Sequence, residues 1–326
     1  MRVLVTGGSG YVGSHAVREL SAAGHEAVIY DNLSTGHRRF SEGYRLIEAD
    51  IADGAALAGA LEGCDAVMHF AASAYVGESV ENPRKYFRNN VESALKLLDG
   101  VLASRARLFI FSSTCATYGI PRTLPITETS RREPINPYGA TKMFFEQALA
   151  AYSVSHGLRS VSLRYFNAAG AHPGGAIGEL HEPETHLIPL ALKAALGTAP
   201  ALKVYGKDLK TEDGTCIRDY VHVSDLGRAH VLALDYLAQG GATTAMNLGT
   251  GEGTSVAQLI TAVERVSGRS VPHTYVEPRA GDPPALFADA ARARSVLGWR
   301  PRFDLLETLR TAWNWELKLQ AGGYRI

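Results

Sequence analysis

Short apolar runs alternate along the first half of the chain with longer stretches in which apolar positions recur every three to four residues. The runs at 2–6, 26–30, 44–48, 66–70, 107–111 and 160–164 read as strands, and the stretches at 11–23, 53–62, 83–104 and 137–155 as helices. Strands alternating with helices imply parallel pairing through right-handed crossovers. Residues 1 to about 167 are therefore expected to form one doubly wound α/β domain of Rossmann type, its sheet covered on both faces. Beyond it the rhythm breaks. Residues 168–178 are rich in glycine and proline, 187–196 is a short helical patch, and 224–237 reads as a further helix with Ser224 as its amino-terminal cap. A second, smaller α/β region is expected over 168–326, with roughly 215–245 packing back on the first.

The first strand stops at Thr6-Gly7-Gly8-Ser9-Gly10-Tyr11-Val12-Gly13, and a helical pattern follows. Strand, glycine turn and helix in that order form a dinucleotide fingerprint. The glycines permit a tight turn and close approach of a pyrophosphate to the helix amino terminus, where N–H groups and the helix dipole favour an anion. The second strand leads to Asp31, 18 residues after Gly13, near the spacing of an acid that holds a ribose 2′-hydroxyl. A carboxylate there repels a 2′-phosphate, so NAD is expected rather than NADP.

Pro137-Tyr-Gly-Ala-Thr-Lys142 adds acid/base chemistry. On a helix starting at Pro137 with Asn136 as cap, Tyr138 and Lys142 share a face. A free tyrosine, with a pKa of about 10, is a poor base at neutral pH, and a nearby ammonium favours its phenolate. Such a pair is also an ordinary surface companionship; its position beside a dinucleotide loop is what singles it out. Ser112, Ser113 and Thr114 leave the strand at 107–111 and are expected at the same mouth, where a hydroxyl can bond both the phenol and a reacting alcohol.

With 326 residues, 46% of them apolar, the chain can bury a large core. Lys plus Arg equals Asp plus Glu at 33 each, which removes the electrostatic case for nucleic acid. Arg38-Arg39 and Arg131-Arg132 read as solvated faces. Cys64, Cys115 and Cys216 give neither an even disulfide framework nor a metal spacing and fit free thiols in a reducing compartment. No run suits a signal peptide or a membrane span, so a cytoplasmic protein is the expectation. The segment His181-Glu-Pro-Glu-Thr-His186 has histidines five apart with a proline between, which spoils the one-face helix of H-E-x-x-H. It reads as a loop, and no metal is expected. Cys115 has no base beside it in sequence and reads as a small pocket-lining residue; His222 and His230 read as packing or surface histidines.

Taken together, the glycine loop, Asp31-Asn32, Ser112-Ser-Thr114 and Tyr138-x-x-x-Lys142 resemble the extended short-chain dehydrogenase/reductases, and within them the UDP-glucose (UDP-galactose) 4-epimerase family. The likeness runs nearly end to end, through Val76-Gly-Glu-Ser79, Leu163-Arg-Tyr-Phe-Asn167, Ala171-His-Pro173, Thr211-Glu-Asp-Gly-Thr215, Arg218-Asp-Tyr-Val-His222, Asn247-Leu-Gly-Thr-Gly251 and Pro278-Arg-Ala-Gly-Asp282. The resemblance implies that Gly7, Gly10, Tyr11, Val12, Gly13, Asp31, Asn32, Asp50, Ile51, Phe70, Ala71, Asn89, Tyr138, Lys142 and Phe166 contact NAD. It further implies that Thr114 and Tyr138 face the sugar, and that Asn167, His186, Leu187, Arg218, Arg279, Asp282 and Leu286 hold the rest of a UDP-sugar. His186 stands where some relatives have asparagine. Thr114, Tyr138 and Lys142 are the catalytic residues so implied.

The activity implied is inversion at C4 of UDP-galactose or UDP-glucose through a transient 4-keto sugar, with N-acetylhexosamine or pentose nucleotides as alternative substrates. A 4,6-dehydratase needs a further acid and base, which its members usually place as Asp-Glu after the Ser-Thr; Cys115-Ala116 stand there. A non-catalytic nucleotide sensor on the same fold has no reason to keep Thr114, Tyr138 and Lys142 together. In the family, acceptance of an N-acetyl group depends on a residue just after Gly-Asp-x-Pro, here Leu286, smaller than the tyrosine of strict forms. A homodimer through 83–104 and 137–155 is likewise what the resemblance implies.

Overall fold

The structure, a computed structural model, describes residues 1–279 and 282–322. Of the motif at 278–282, Ala280 and Gly281 lie outside the described residues. The first half alternates β1 (Arg2–Thr6), α1 (Tyr11–Ala22), β2 (Glu26–Asp31), β3 (Arg45–Glu48), α2 (Gly54–Leu61), β4 (Ala66–His69), α3 (Val76–Glu81), α4 (Pro83–Phe87), α5 (Ala94–Ala103), β5 (Leu108–Thr114), α6 (Pro137–His156) and β6 (Arg159–Tyr165). The remainder is shorter-stepped: β7 (Asn167–Ala169), α7 (Leu187–Leu196), β8 (Leu202–Tyr205), β9 (Ile217–Arg218), β10 (Tyr220–His222), α8 (Val223–Ala238), β11 (Thr244–Leu248), β12 (Thr254–Ser255), α9 (Val256–Ser267), β13 (His273–Val276), β14 (Ala285–Leu286), α10 (Ala291–Leu297) and α11 (Leu305–Gln320).

Seven parallel strands form the main sheet in the order β11-β6-β5-β4-β1-β2-β3. The strand order reverses between β1 and β4, and a crevice opens at the carboxyl ends of strands at such a switch point. Alternation along β1 divides the core: Val3 and Val5 join α1 and α8 on one face, while Leu4 joins α2, α5 and α6 on the other. A smaller assembly, of the β10-β7, β12-β9-β14 and β13-β8 sheets with α7, α9 and α11, has its own apolar cluster, including Ile188, Leu192, Val204, Leu259 and Trp313. The α/β doubly wound architecture with a second α/β part is as the apolar pattern indicated.

Three local expectations are corrected. The helix expected over 83–104 is divided: Asn82 caps α4, and Arg88–Ser93 form a π-helical turn before α5. That turn carries Asn90, whose buried amide is committed elsewhere. Helix α8 is capped by His222, whose Nδ1 accepts the Ser224 N–H at 3.1 Å, because β10 ends where the helix starts and leaves the strand's last residue to cap it. Arg132 is not a solvated side chain; it reaches the buried Glu146, while Arg131 stays exposed beside Glu133. His222 also stacks on Phe303 (centroids 3.8 Å apart) and His230 lies buried 4.6 Å from the Phe70 ring, so both are packing histidines.

Candidate active site

The crevice floor is the turn between β1 and α1. A Cβ on Gly13 would lie 2.2 Å from the Gly7 carbonyl oxygen, so only glycine lets the helix start this close to the turn. Gly10 occupies the cap position, leaving the first-turn N–H groups of Tyr11 and Val12 directed to the crevice. At the end of β2 the Asp31 carboxylate accepts the Ser9 N–H at 2.9 Å and the Leu33 N–H at 2.8 Å. Burial raises its pKa, and those two N–H groups oppose the rise. Asn32 donates to Asp50 at 2.8 Å and Ile51 is buried beneath, forming the wall after β3. Phe70 and Ala71 follow β4, their N–H groups tied to the Thr6 carbonyl. A cradle a Cβ would fill, a fixed carboxylate and two apolar walls fit a dinucleotide.

Across the crevice β5 runs to Thr114, three residues further than its apolar pattern suggested. Because Ser112, Ser113 and Thr114 are strand residues, alternate ones face opposite ways. Ser112 bonds the Tyr165 hydroxyl at 2.5 Å, whereas Ser113 turns to the other face and donates to Glu146. Ser113 therefore does not reach the mouth. Thr114 caps the short turn Cys115–Thr117 and its hydroxyl interacts with the Tyr138 phenol. Asn136 caps α6 by accepting the Gly139 N–H at 2.8 Å. A Cβ on Gly139 would come within 2.4 Å of the Ala116 carbonyl oxygen, so this glycine allows α6 to seat Tyr138 beside Thr114.

Lys142 is buried one turn along α6. Its ammonium donates to the Ser112 carbonyl at 2.8 Å, lies 4.8 Å from the Phe111 ring centroid and 6.0 Å from that of Tyr138. Burial moves the pair in the sense opposite to the sequence expectation: it raises the Tyr138 phenol and lowers Lys142 to about 7, Glu146 partly restoring the latter. In the protein alone, then, Lys142 does not bring Tyr138 down. Since the folded-state value of Lys142 lies below its unfolded one, the unfolded chain binds more protons between about pH 7 and 10, and stability rises with pH across that window. With dinucleotide removed, wild type is expected to gain about 2 kcal/mol over Lys142→Met between pH 7 and 9 in urea unfolding. Equal gains in both proteins would refute the buried-ammonium account.

Asn89 donates weakly to Ser73, at 3.4 Å. Its neighbour Asn90, which sequence reasoning passed over, accepts the Ser73 N–H at 2.8 Å and donates to the Ser73 carbonyl and the Thr141 hydroxyl, pinning the segment after β4 to α6. Tyr165 and Glu146 were also missed. Glu146 had a signal, lying one turn beyond Lys142; Tyr165 had none, because its contact depends on strand register.

The smaller assembly contributes the other wall. Arg218 in β9 donates to Asp282 at 2.5 Å and stands in register with Leu286 of β14. The Arg279 guanidinium lies over the Tyr205 ring at 4.0 Å. Leu286, Cys115 and Phe166 belong to one apolar cluster with Tyr118 and Ile126. Burial raises the Cys115 thiol to about 12, consistent with a pocket lining and not a nucleophile. Asn167 opens β7 with its amide donating to the Asp219 carbonyl at 2.9 Å. His186 and Leu187 sit at the start of α7, and the His186 Nδ1 is directed to Glu179 at 2.9 Å and Glu184 at 3.0 Å.

A model of the NAD dependent epimerase/dehydratase family matches residues 3–249. The chain is 51% identical to a UDP-glucose 4-epimerase of Rhizobium meliloti (strain 1021), over 98% of each chain. It is similar to the crystal structure of UDP-glucose 4-epimerase from Brucella ovis in complex with NAD, with a TM-score of 0.94 and 53% identity over 96% of this chain and 97% of that one. It is also similar to a UDP-glucose-4-epimerase from Stenotrophomonas maltophila with bound NAD and formylated UDP-arabinopyranose, with a TM-score of 0.97 and 40% identity over 99% of each. The glycine cradle, the Tyr138–Lys142 turn and these likenesses along nearly the whole chain agree: it belongs to the NAD dependent epimerase/dehydratase family.

Proposed function

We propose that the protein interconverts UDP-galactose and UDP-glucose by NAD-dependent inversion at C4. The observation that carries this reading is the placement of Tyr138 beside Thr114, at the carboxyl edge of the sheet facing the glycine cradle, with Cys115 and Ala116 where a dehydratase needs its acid and base. The glycine turn and Asp31 would hold NAD, which would supply a hydride acceptor and donor for C4 and a positive charge in the crevice. Tyr138 removes the proton of the C4 hydroxyl and later gives it back; Thr114 orients both oxygens. Lys142 sits one turn from the phenol, where its ammonium form favours the phenolate. The resulting 4-keto sugar must turn over within the pocket, so grip belongs on the nucleotide. Arg218 and Arg279 suit the phosphates, since a guanidinium makes bidentate bonds to their oxygens. Asn167, Leu187 and Asp282 complete that hold, and residues 1–167 serve mainly the dinucleotide and 168–326 mainly the nucleotide sugar.

The test is to offer UDP-galactose with no added cofactor and follow the C4 configuration by proton NMR. Conversion to UDP-glucose is expected; no conversion of UDP-galactose, UDP-GlcNAc or UDP-xylose, with or without added NAD, would reject the reading. Leu286, half-buried in the same apolar cluster as Cys115, is smaller than a tyrosine and so is expected to obstruct an N-acetyl group less. Leu286→Tyr should reduce turnover of UDP-GlcNAc by about tenfold or more with little change for UDP-galactose; absence of any wild-type turnover of UDP-GlcNAc would refute the size argument. The functional unit is a homodimer joined through the α4–α5 and α6 region, where Phe87, Phe144 and Val154 are exposed. Light scattering that gives a monomer would exclude it.

A further inference from the structure

The segment between β7 and α7 is a loop, but it brings together what a helix could not. Glu179, His181, Glu184 and His186 place one donor atom each within 4.8 Å of all the others, the one such group of metal-ligating side chains among the described residues. Both carboxylates are buried, at 7% side-chain exposure. The His181 Nδ1 faces Glu179 at 3.3 Å and Glu184 at 3.8 Å, longer than the His186 contacts, and is shut off from solvent. Glu184 is held by its Oε1, which accepts the N–H groups of Thr185 and His186 at 2.7 and 2.8 Å, leaving Oε2 turned to His181. The Glu179 carbonyl is anchored by the Trp315 indole at 2.8 Å. The rings of Tyr11 and Tyr75 flank His181 at 6.0 and 5.9 Å.

From this arrangement we infer that Glu179, His181, Glu184 and His186 form a structural site for a divalent transition metal, zinc in the first place, separate from the hydride chemistry. Two carboxylates with two neutral imidazoles carry a charge of −2, which a divalent ion cancels, whereas two buried carboxylates this close repel each other strongly without a cation. Tetrahedral zinc with ligands at 2.0–2.2 Å sets donor atoms about 3.4 Å apart. The histidine Nδ1 atoms lie 2.9 to 3.8 Å from the carboxylate oxygens, around that value, and one donor atom from each of the four residues lies within 4.8 Å of the others. Imidazole donors select zinc, cobalt or nickel over magnesium and calcium. Four protein ligands close the coordination sphere, which is the pattern of a structural and not a catalytic site. The ion would fasten the 179–186 loop to the wall made by Tyr11 and Tyr75, so its loss acts on the rigidity of that wall. His186 would then be a ligand first, and its part in holding substrate would be indirect.

The full-length protein, stripped with a chelator and then dialysed against zinc, should retain one equivalent after gel filtration, measured by plasma mass spectrometry. Cobalt in its place should give the intense visible bands of a tetrahedral site. The double variant His181→Ala/Glu184→Gln should lose both the equivalent and the colour, while His273→Ala, at an exposed histidine, keeps them. Zinc should raise the unfolding midpoint of wild type and not of the double variant. Failure of wild type to hold a stoichiometric ion, or cobalt without tetrahedral bands, would overturn the inference and leave the charge balance to two protonated histidines. Because that result is read on wild type, it decides the matter even if the double variant does not fold.

Discussion

Replacing Tyr138 by Phe is expected to lower turnover of UDP-galactose by about 10²–10⁴-fold, the range set by loss of a positioned acid/base, with the dinucleotide still bound. The ring itself is not at issue. It packs edge-on against Tyr86 at 6.5 Å, a contact phenylalanine keeps. What disappears is one oxygen, the one that Thr114 addresses and burial holds protonated in the protein alone. The dinucleotide cradle is built from Gly7, Gly10, Gly13 and Asp31, none of which touches that oxygen, so the amount of NAD released on denaturation should match wild type. Both quantities are needed. Turnover within tenfold of wild type would remove Tyr138 from the chemistry, while loss of NAD together with turnover would make it a binding residue. Burial raises the Tyr138 phenol in the protein alone, and a positive charge entering the crevice opposes that rise, so proton removal is expected to be favoured by oxidised dinucleotide.

Much of this site is legible in the sequence, and the legible parts share a cause. The turn after β1, the cap at Asn136 and the pairing of Tyr138 with Lys142 are local: glycine geometry, an Asn-Pro start and helical spacing act within a few residues. What escaped the sequence depends on partners far along the chain. The apolar run alone ends β5 at Phe111 and leaves Ser113 at the mouth; the strand continues because β6 pairs with it as far as Thr114, and alternation then turns Ser113 away. The strand β11, without a place in the apolar rhythm of the first half, completes the sheet by pairing with β6. The proline between its histidines marks 181–186 as a loop, but the convergence of Glu179, His181, Glu184 and His186 follows from backbone turns that no periodicity encodes.

The largest loss of stability is expected from Glu146→Ala. Glu146 lies one turn beyond Lys142 on the buried side of α6 and accepts from Ser113, Arg132 and Arg164. Arg164, 4% exposed, also donates to the Tyr118 hydroxyl at 2.8 Å, and Tyr118 in turn donates to Asn247 at 2.6 Å. One carboxylate thus ties α6 to β5, β6 and, through Asn247, to β11. Removing it leaves the Arg164 guanidinium buried without an anion, a change that costs about 3–5 kcal/mol. The pair as a whole need not be worth that much, because both charges lose hydration on burial. Glu146→Leu/Arg164→Met is therefore expected to recover most of the loss, a coupling of about 2 kcal/mol or more in a double-mutant cycle from urea midpoints. Additive single losses would show that the two side chains act independently. If the coupling holds, α6 is clamped one turn beyond Lys142, and the placement of Tyr138 rests on an ion cluster two turns along the same helix.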